Sequence, residues 1–129
     1  MYQFIEHTHK LSAQAAGNAI ESWPLNSEGQ PMTLDSVMVY LSAVAGSPTA
    51  VTIDVNITDG TVTNTPIAAS SIGTAAGTTR HLPSAASKEA GTHTATIKTS
   101  AYWRFNFDLN FTAGTSPTVT GMIAFRWRV

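Results

Sequence analysis

The sequence predicts an all-β fold, an antiparallel β-sandwich, and three observations carry that expectation. Residues 101–112 alternate without a break, with Trp103, Phe105, Phe107, Leu109 and Phe111 on one parity and Tyr102, Arg104, Asn106, Asp108 and Asn110 on the other. That is the period of a strand with a dry face and a wet face; a helix would scatter the aromatics around its circumference. Val51, Ile53, Val55 and Ile57 alternate in the same way with Thr52, Asp54, Asn56 and Thr58, and Val119, Ile123, Phe125, Trp127 and Val129 with Thr120, Met122, Ala124, Arg126 and Arg128. Finally, 129 residues without a cysteine make one domain, residues 1–129, long enough to bury a core without staples. Each large apolar side chain on the 101–112 strand is worth roughly 1.5–3 kcal/mol when buried, so the core should form around it.

Taken in order, residues 2–6 read as a short first strand at a sheet edge. His7 and His9 follow in a His-Thr-His pattern that puts both imidazoles on one side of an extended chain. Residues 11–19 permit a helix that Gly17 and Asn18 interrupt. Residues 20–25 form a short strand ending at Pro24, which cannot donate to a ladder. Residues 26–31 are a turn cluster. Residues 34–44 make the second strong strand, with Val37, Val39, Leu41 and Ala43 on one parity and Met38 and Tyr40 on the other. Apolar residues on both faces predict a central or covered strand.

Gly46-Ser47-Pro48 closes that strand. The strand through Ile57 ends at Asp59-Gly60, a tight-turn signal, and Val62 opens the next. Residues 63–87 hold Ala, Ser, Thr and Gly with Ile67, Ile72 and Leu82 as scattered anchors. They read as a long loop of the kind that is functional or ordered by a partner. Residues 92–99 form a strand with Ala95 and Ile97 inward, and residues 113–117 a loop. Paired directly, the last two long strands would in some registers oppose Arg104 to Arg126 or Arg128, and like charges directly opposite destabilise. Either the register offsets them or the strands lie in different sheets. The second is favoured, because short-looped neighbours often cross between sheets in jelly rolls. The expected core is Val39, Leu41, Val51, Ile53, Val55, Trp103, Phe105, Phe107, Leu109, Ile123, Phe125 and Trp127.

Charged residues are 12% of the chain, against about 25% in an ordinary domain. The net charge of −1 gives no general pull toward nucleic acid or membrane. The charges are sorted along the chain. Up to Gly60 six acids face Lys10 alone, and beyond it Arg80, Lys88, Lys98, Arg104, Arg126 and Arg128 face Glu89 and Asp108. Internal pairing explains this plainly; the sharper reading is an acidic and a basic face that meet between subunits. Arg126 and Arg128 fall on the wet side of the last strand, with no obvious partner in the chain. No basic segment followed by an apolar stretch opens the sequence, so no signal peptide is expected.

Two same-face histidines fall short of the three or four ligands a metal site needs, and His81 and His93 are isolated in sequence. All four read as surface or edge histidines. Asp54, Asn56 and Asp59 offer oxygens at short spacing that suit calcium, but the register departs from the recognised loop and its terminal glutamate is missing. Outward polar residues before a turn explain them as well. Catalysis needs titratable groups converging in a cleft, and no serine elbow, phosphate loop or metal cluster is visible. Neither an enzyme nor a cofactor is expected.

The run Met32-Thr33-Leu34-Asp35-Ser36-Val37-Met38-Val39-Tyr40-Leu41-Ser42, then Thr52-Ile53-Asp54-Val55-Asn56-Ile57 and Ala101-Tyr102-Trp103, resembles the jelly-roll sandwiches of carbohydrate-binding-module type. Those domains pair a Leu-x-Ser-Val-x-Val-Tyr-Leu strand with a Val-Thr-Ile-x-Val strand and a later Tyr-Trp strand. The resemblance implies a jelly-roll-like fold but no sugar site, since that family reads ligands through variable loops. In composition and size the chain is also similar to small tailed-phage virion proteins that use such sandwiches as capsid decoration or fibre modules.

The expectation is therefore a non-enzymatic structural virion protein, a capsid decoration or cement protein on a phage head. It would be made in the host cytoplasm, carried on the virion exterior, and assembled as a homo-oligomer, a trimer, with the major capsid protein or other virion proteins as partners. Its contacts are expected at residues 63–87, at Arg80, Ile67 and Ile72 within them, and at Arg126 and Arg128. The alternative is a glycan-binding sandwich module, a tail or fibre adhesin, with Trp23, Tyr40 and Tyr102 as sugar contacts.

Overall fold

A computed structural model describes residues 4–25, 33–58, 63–82 and 103–128. These residues form eight strands: β1 (Phe4–Gln14), β2 (Gly17–Leu25), β3 (Thr33–Ala45), β4 (Ala50–Thr58), β5 (Thr63–Ser71), β6 (Thr78–His81), β7 (Trp103–Thr112) and β8 (Thr118–Arg128). They form two antiparallel four-stranded sheets, a first in the order β1-β8-β3-β6 and a second in the order β2-β7-β4-β5. The chain changes sheet at every connection except β4 to β5. Eight strands interleaved this way are a jelly roll, as the resemblance to carbohydrate-binding-module sandwiches implies.

The alternation explains the core directly. Val51, Ile53, Val55 and Ile57 of β4 and Phe105, Phe107 and Leu109 of β7 turn inward from the second sheet. From the first come Leu34, Val37, Val39 and Leu41 of β3 and Val119, Ile123, Phe125 and Trp127 of β8. Every expected core residue whose side chain is described is fully buried; that of Trp103 lies outside the described part. β7 and β8 do belong to different sheets, so Arg104 faces Pro24 and Thr58 while Arg126 faces Glu6 and Ser36.

Several elements differ from expectation. β1 is an edge strand, but it runs eleven residues and absorbs the front of the segment that permitted a helix. Its inward face carries His7, His9 and Leu11, which conceals the apolar alternation. β2 begins at Gly17 and continues past Pro24 to Leu25; it too is an edge strand, where the missing proline N–H costs no ladder bond. β3 lies between β8 and β6 as expected, yet bulges between Leu34 and Ser36 and between Leu41 and Ala43 reset its parity. Ala43 is therefore exposed and Val44 packs against the core instead.

The long loop is corrected over residues 63–82. It contains β5 and β6, and Ile67, Ile72 and Leu82 are buried in the core. The turn at 26–31, Asp59-Gly60, Val62, residues 83–87, the strand at 92–99, His93 and Tyr102 lie outside the described residues.

At one end of the sandwich the turn after β3 and the loop before β8 interlock. Thr115 N–H donates to the Gly46 carbonyl at 2.9 Å. Gly46 and Gly114 sit at φ 82° and 90°, and a Cβ on either would fall 2.5–2.6 Å from a backbone oxygen of the other loop. Glycine is required there for both conformation and space.

Candidate functional site

The two outer faces of the sandwich are chemically unlike. On the second sheet, the central strands β4 and β7 present Asp54 directly opposite Asp108, and Asn56 opposite Asn106. The edge strands bulge beside each carboxylate: Asn18 and Ala19 stand against Asp108, Ala68 and Ala69 against Asp54. The bulges turn backbone N–H groups toward the acids. Ala19 N donates to Asp108 Oδ1 at 2.6 Å, and Ala69 N to Asp54 Oδ1 at 2.5 Å. The second oxygens accept from amides, Asp108 Oδ2 from Asn56 Nδ2 at 3.2 Å and Asp54 Oδ2 from Asn110 Nδ2 at 3.4 Å. Asn56 Nδ2 also reaches Asn106 Oδ1 at 3.1 Å, and Asn56 Oδ1 accepts from Thr65 Oγ1 at 2.9 Å.

A local two-fold thus relates Asp54, Asn56 and Ala69 to Asp108, Asn110 and Ala19. Its signal was in the sequence, as an apolar-Asp-apolar-Asn-apolar pattern at residues 53–57 and again at 107–111. The carboxylate oxygens are taken up by internal donors, so this face is bound to itself. Among the described residues no group of three or more His, Cys, Asp or Glu side chains is placed to hold a metal ion.

The outer face of the first sheet has an apolar centre. Tyr40 of β3 lies directly opposite Met122 of β8, and Met38 opposite Ala124. Tyr40 and Met122 are the exposed large hydrophobics of the described residues, at 38% and 41%. Beside them Glu6, Ser36, Met38, His81, Ala124 and Arg126 line a shallow depression of about 320 Å³. Arg126 Nε is 3.7 Å from Glu6 Oε1 and 3.9 Å from Asp35 Oδ2. That corrects the expectation that nothing in the chain matches Arg126: two acids from the first half of the chain flank it, which is the internal form of charge pairing.

The seams between the sheets hold the other expected residues. On one side Trp23 stacks on Phe105 with centroids 4.8 Å apart, and His7 and His9 approach it at 6.0 and 5.5 Å. His7 also meets Phe105 at 5.2 Å and His9 meets Phe107 at 5.5 Å. Both lie on an edge strand, as one half of the surface-or-edge reading had it, but they are half-buried and packed on aromatics rather than free at the surface. Burial pushes the His7 imidazole below the usual histidine range, because the apolar surround disfavours its charged form. On the opposite seam Arg80 is exposed, as expected, and its Nη1 donates to the Ser71 carbonyl at 3.2 Å and to Ser71 Oγ at 3.1 Å, tying β6 to β5.

The expected contact residues are therefore not brought together. Ile67 and Ile72 are each 1% exposed and pack within the chain, so their side chains offer nothing to a neighbour. Arg128 pairs in the ladder with Phe4 and Thr33, and its side chain lies outside the described part. Of the three aromatics proposed for sugar, Trp23 points into the seam and Tyr40 out from the first sheet, so the two do not share a surface. Met122, which the sequence reading passed over, is the residue that completes the Tyr40 patch.

No protein-family model matches the chain, and no curated protein matches it. Among solved structures, a chain from the structure of the infectious bursal disease virus Gt strain is similar at 12% identity with a TM-score of 0.48. The likeness covers 98% of this chain and 32% of that one, so this chain spans about a third of its length.

Proposed function

We propose that the chain is a non-enzymatic structural component of a virus particle, a decoration protein on the exterior of a phage head, which acts by adhesion through the outer face of its first sheet. The observation that carries this reading is the direct adjacency of Tyr40 and Met122 on that face. Single exposed apolar residues need no explanation, whereas Tyr40 and Met122 adjoin and are rimmed by polar groups, the make-up of a contact site. The opposite face supports the same polarity, because its acids and amides are engaged with one another. Low charge and Thr-rich connections support a protein that works packed in a large assembly. The jelly roll is an architecture that viral capsid and lectin domains share. A fold hosts many functions, so the surface carries the weight. The partners are sister subunits, in a homo-oligomer that we take as a trimer, and the major capsid protein beneath.

The experiment is a mass-spectrometric inventory of virus particles purified from a lysate that contains the protein. Stoichiometric recovery with the particles supports the reading. Recovery only in the particle-free fraction overturns it.

A further inference from the structure

We infer that β1 is an acid-labile clasp: protonation of His7 expels it from the aromatic seam and frees the edge of the first sheet. Among the described residues β1 is held on one side only, by its ladder to β8, in which His7 faces Phe125 and His9 faces Ile123. Its inward face closes the sandwich against the second sheet through the two imidazoles. They stand against Trp23 of β2 and Phe105 and Phe107 of β7, and Trp23 is itself stacked on both phenylalanines, 4.8 and 6.2 Å away.

The charged groups around this seam face elsewhere. On β1, Glu6 and Lys10 take the opposite parity, toward the outer face of the first sheet. On β8, Arg126 lies beside Glu6 and Asp35 on that same outer face. On β7, Arg104 is exposed and Asp108 accepts from Ala19 and Asn56 on the outer face of the second sheet. On β2, Glu21 is exposed at a bulge. Among the described residues no carboxylate pairs with the His7 imidazole to offset a proton placed there.

The sign follows from burial. The fold favours neutral His7, so its contribution is complete above the unfolded histidine value of about 6.5 and is lost as pH falls through the lower folded value. Each unit by which the native ring titrates below its unfolded value corresponds to about a tenfold change in the opening equilibrium. A cation over the aromatic faces would act in the opposite sense, and holds the clasp shut if it wins.

The test is hydrogen exchange of the full chain at pH 7.5 and 5.0, corrected for intrinsic rates, with the histidine ring protons titrated by NMR in parallel. Protection of β1 amides should fall more than twofold at the lower pH while that of β4 and β7 holds. In His7→Gln/His9→Gln it should change less than twofold. Equal loss in the variant, or unchanged protection of β1, overturns the inference. Should the variant fail to fold, the wild-type titration decides: His7 below the usual histidine value supports the clasp, and His7 at or above it overturns it.

Discussion

Asp54 and Asp108 stand directly opposite each other on β4 and β7, and each reaches away to the backbone N–H of a bulged edge strand, Ala69 for one and Ala19 for the other. Like charges in that register repel. The bulges supply the compensation, because a hydrogen bond to a charged acceptor is worth about 1.5–3 kcal/mol. Asp54→Ala or Asp108→Ala should therefore destabilise by about 1–2 kcal/mol after the repulsion is relieved, measured by urea unfolding. Asn at either site keeps one accepting oxygen for the bulge N–H but turns an Nδ2 donor toward the amide that the second oxygen served, so it should recover only part of the loss. Equal losses for Ala and Asn would refute this account of the bulges.

The same bulges hold Ala19 and Ala69 at φ 51° and 48°. An L-residue with a Cβ is strained there by roughly 1–2 kcal/mol, and glycine relieves it while adding unfolded-state freedom of about 0.4–1 kcal/mol. Stability should rank Gly at or above Ala, with Val clearly below, at both positions. Valine matching alanine at Ala69 would mean that the bulge is not held in this conformation.

Phe105 joins the two sheets, with Phe125 and Trp127 of the first at 5.2 and 5.0 Å and Trp23 of the second stacked on it. Phe105→Ala should cost about 3–5 kcal/mol, the usual loss for a truncated core aromatic. A loss under about 1 kcal/mol would place Phe105 outside the core.

Asp54 and Asn56 spend their oxygens on Ala69, Asn110 and Thr65. A chelator should therefore leave the melting temperature unchanged. A clear drop that calcium reverses would reinstate the cation reading of these residues.

How much of this was legible depended on how each strand divides its faces. β4 and β7 carry large apolar residues at every described inward position, and Arg104 and Arg126 narrowed β7 and β8 to an offset register or different sheets, of which the crossing of short-looped neighbours favoured the second. β5 was lost because Ile67 is its one large apolar side chain and the bulge at Ala68 and Ala69 breaks the period beside it. β1 was shortened because two of its inward positions are histidines, whose polarity hides that they sit on aromatic rings. The Tyr40–Met122 patch was not legible, since register alone decides which outward residues of β3 and β8 meet. The paired Asp-x-Asn patterns were there to be read, but their meaning depends on an antiparallel register that brings the two aspartates together.

The most direct test of the adhesive surface is sedimentation of the purified protein beside Tyr40→Ser/Met122→Ser, followed by rebinding of each to particles stripped of the native protein. Both substitutions lie on an outer face, so the fold should survive them. The wild type should sediment as an oligomer and return to the particles, and the variant should sediment as a folded monomer and stay in solution. A wild type that is a well-ordered monomer, ignores the particles and binds an oligosaccharide would contradict the account and make the chain a glycan-binding module.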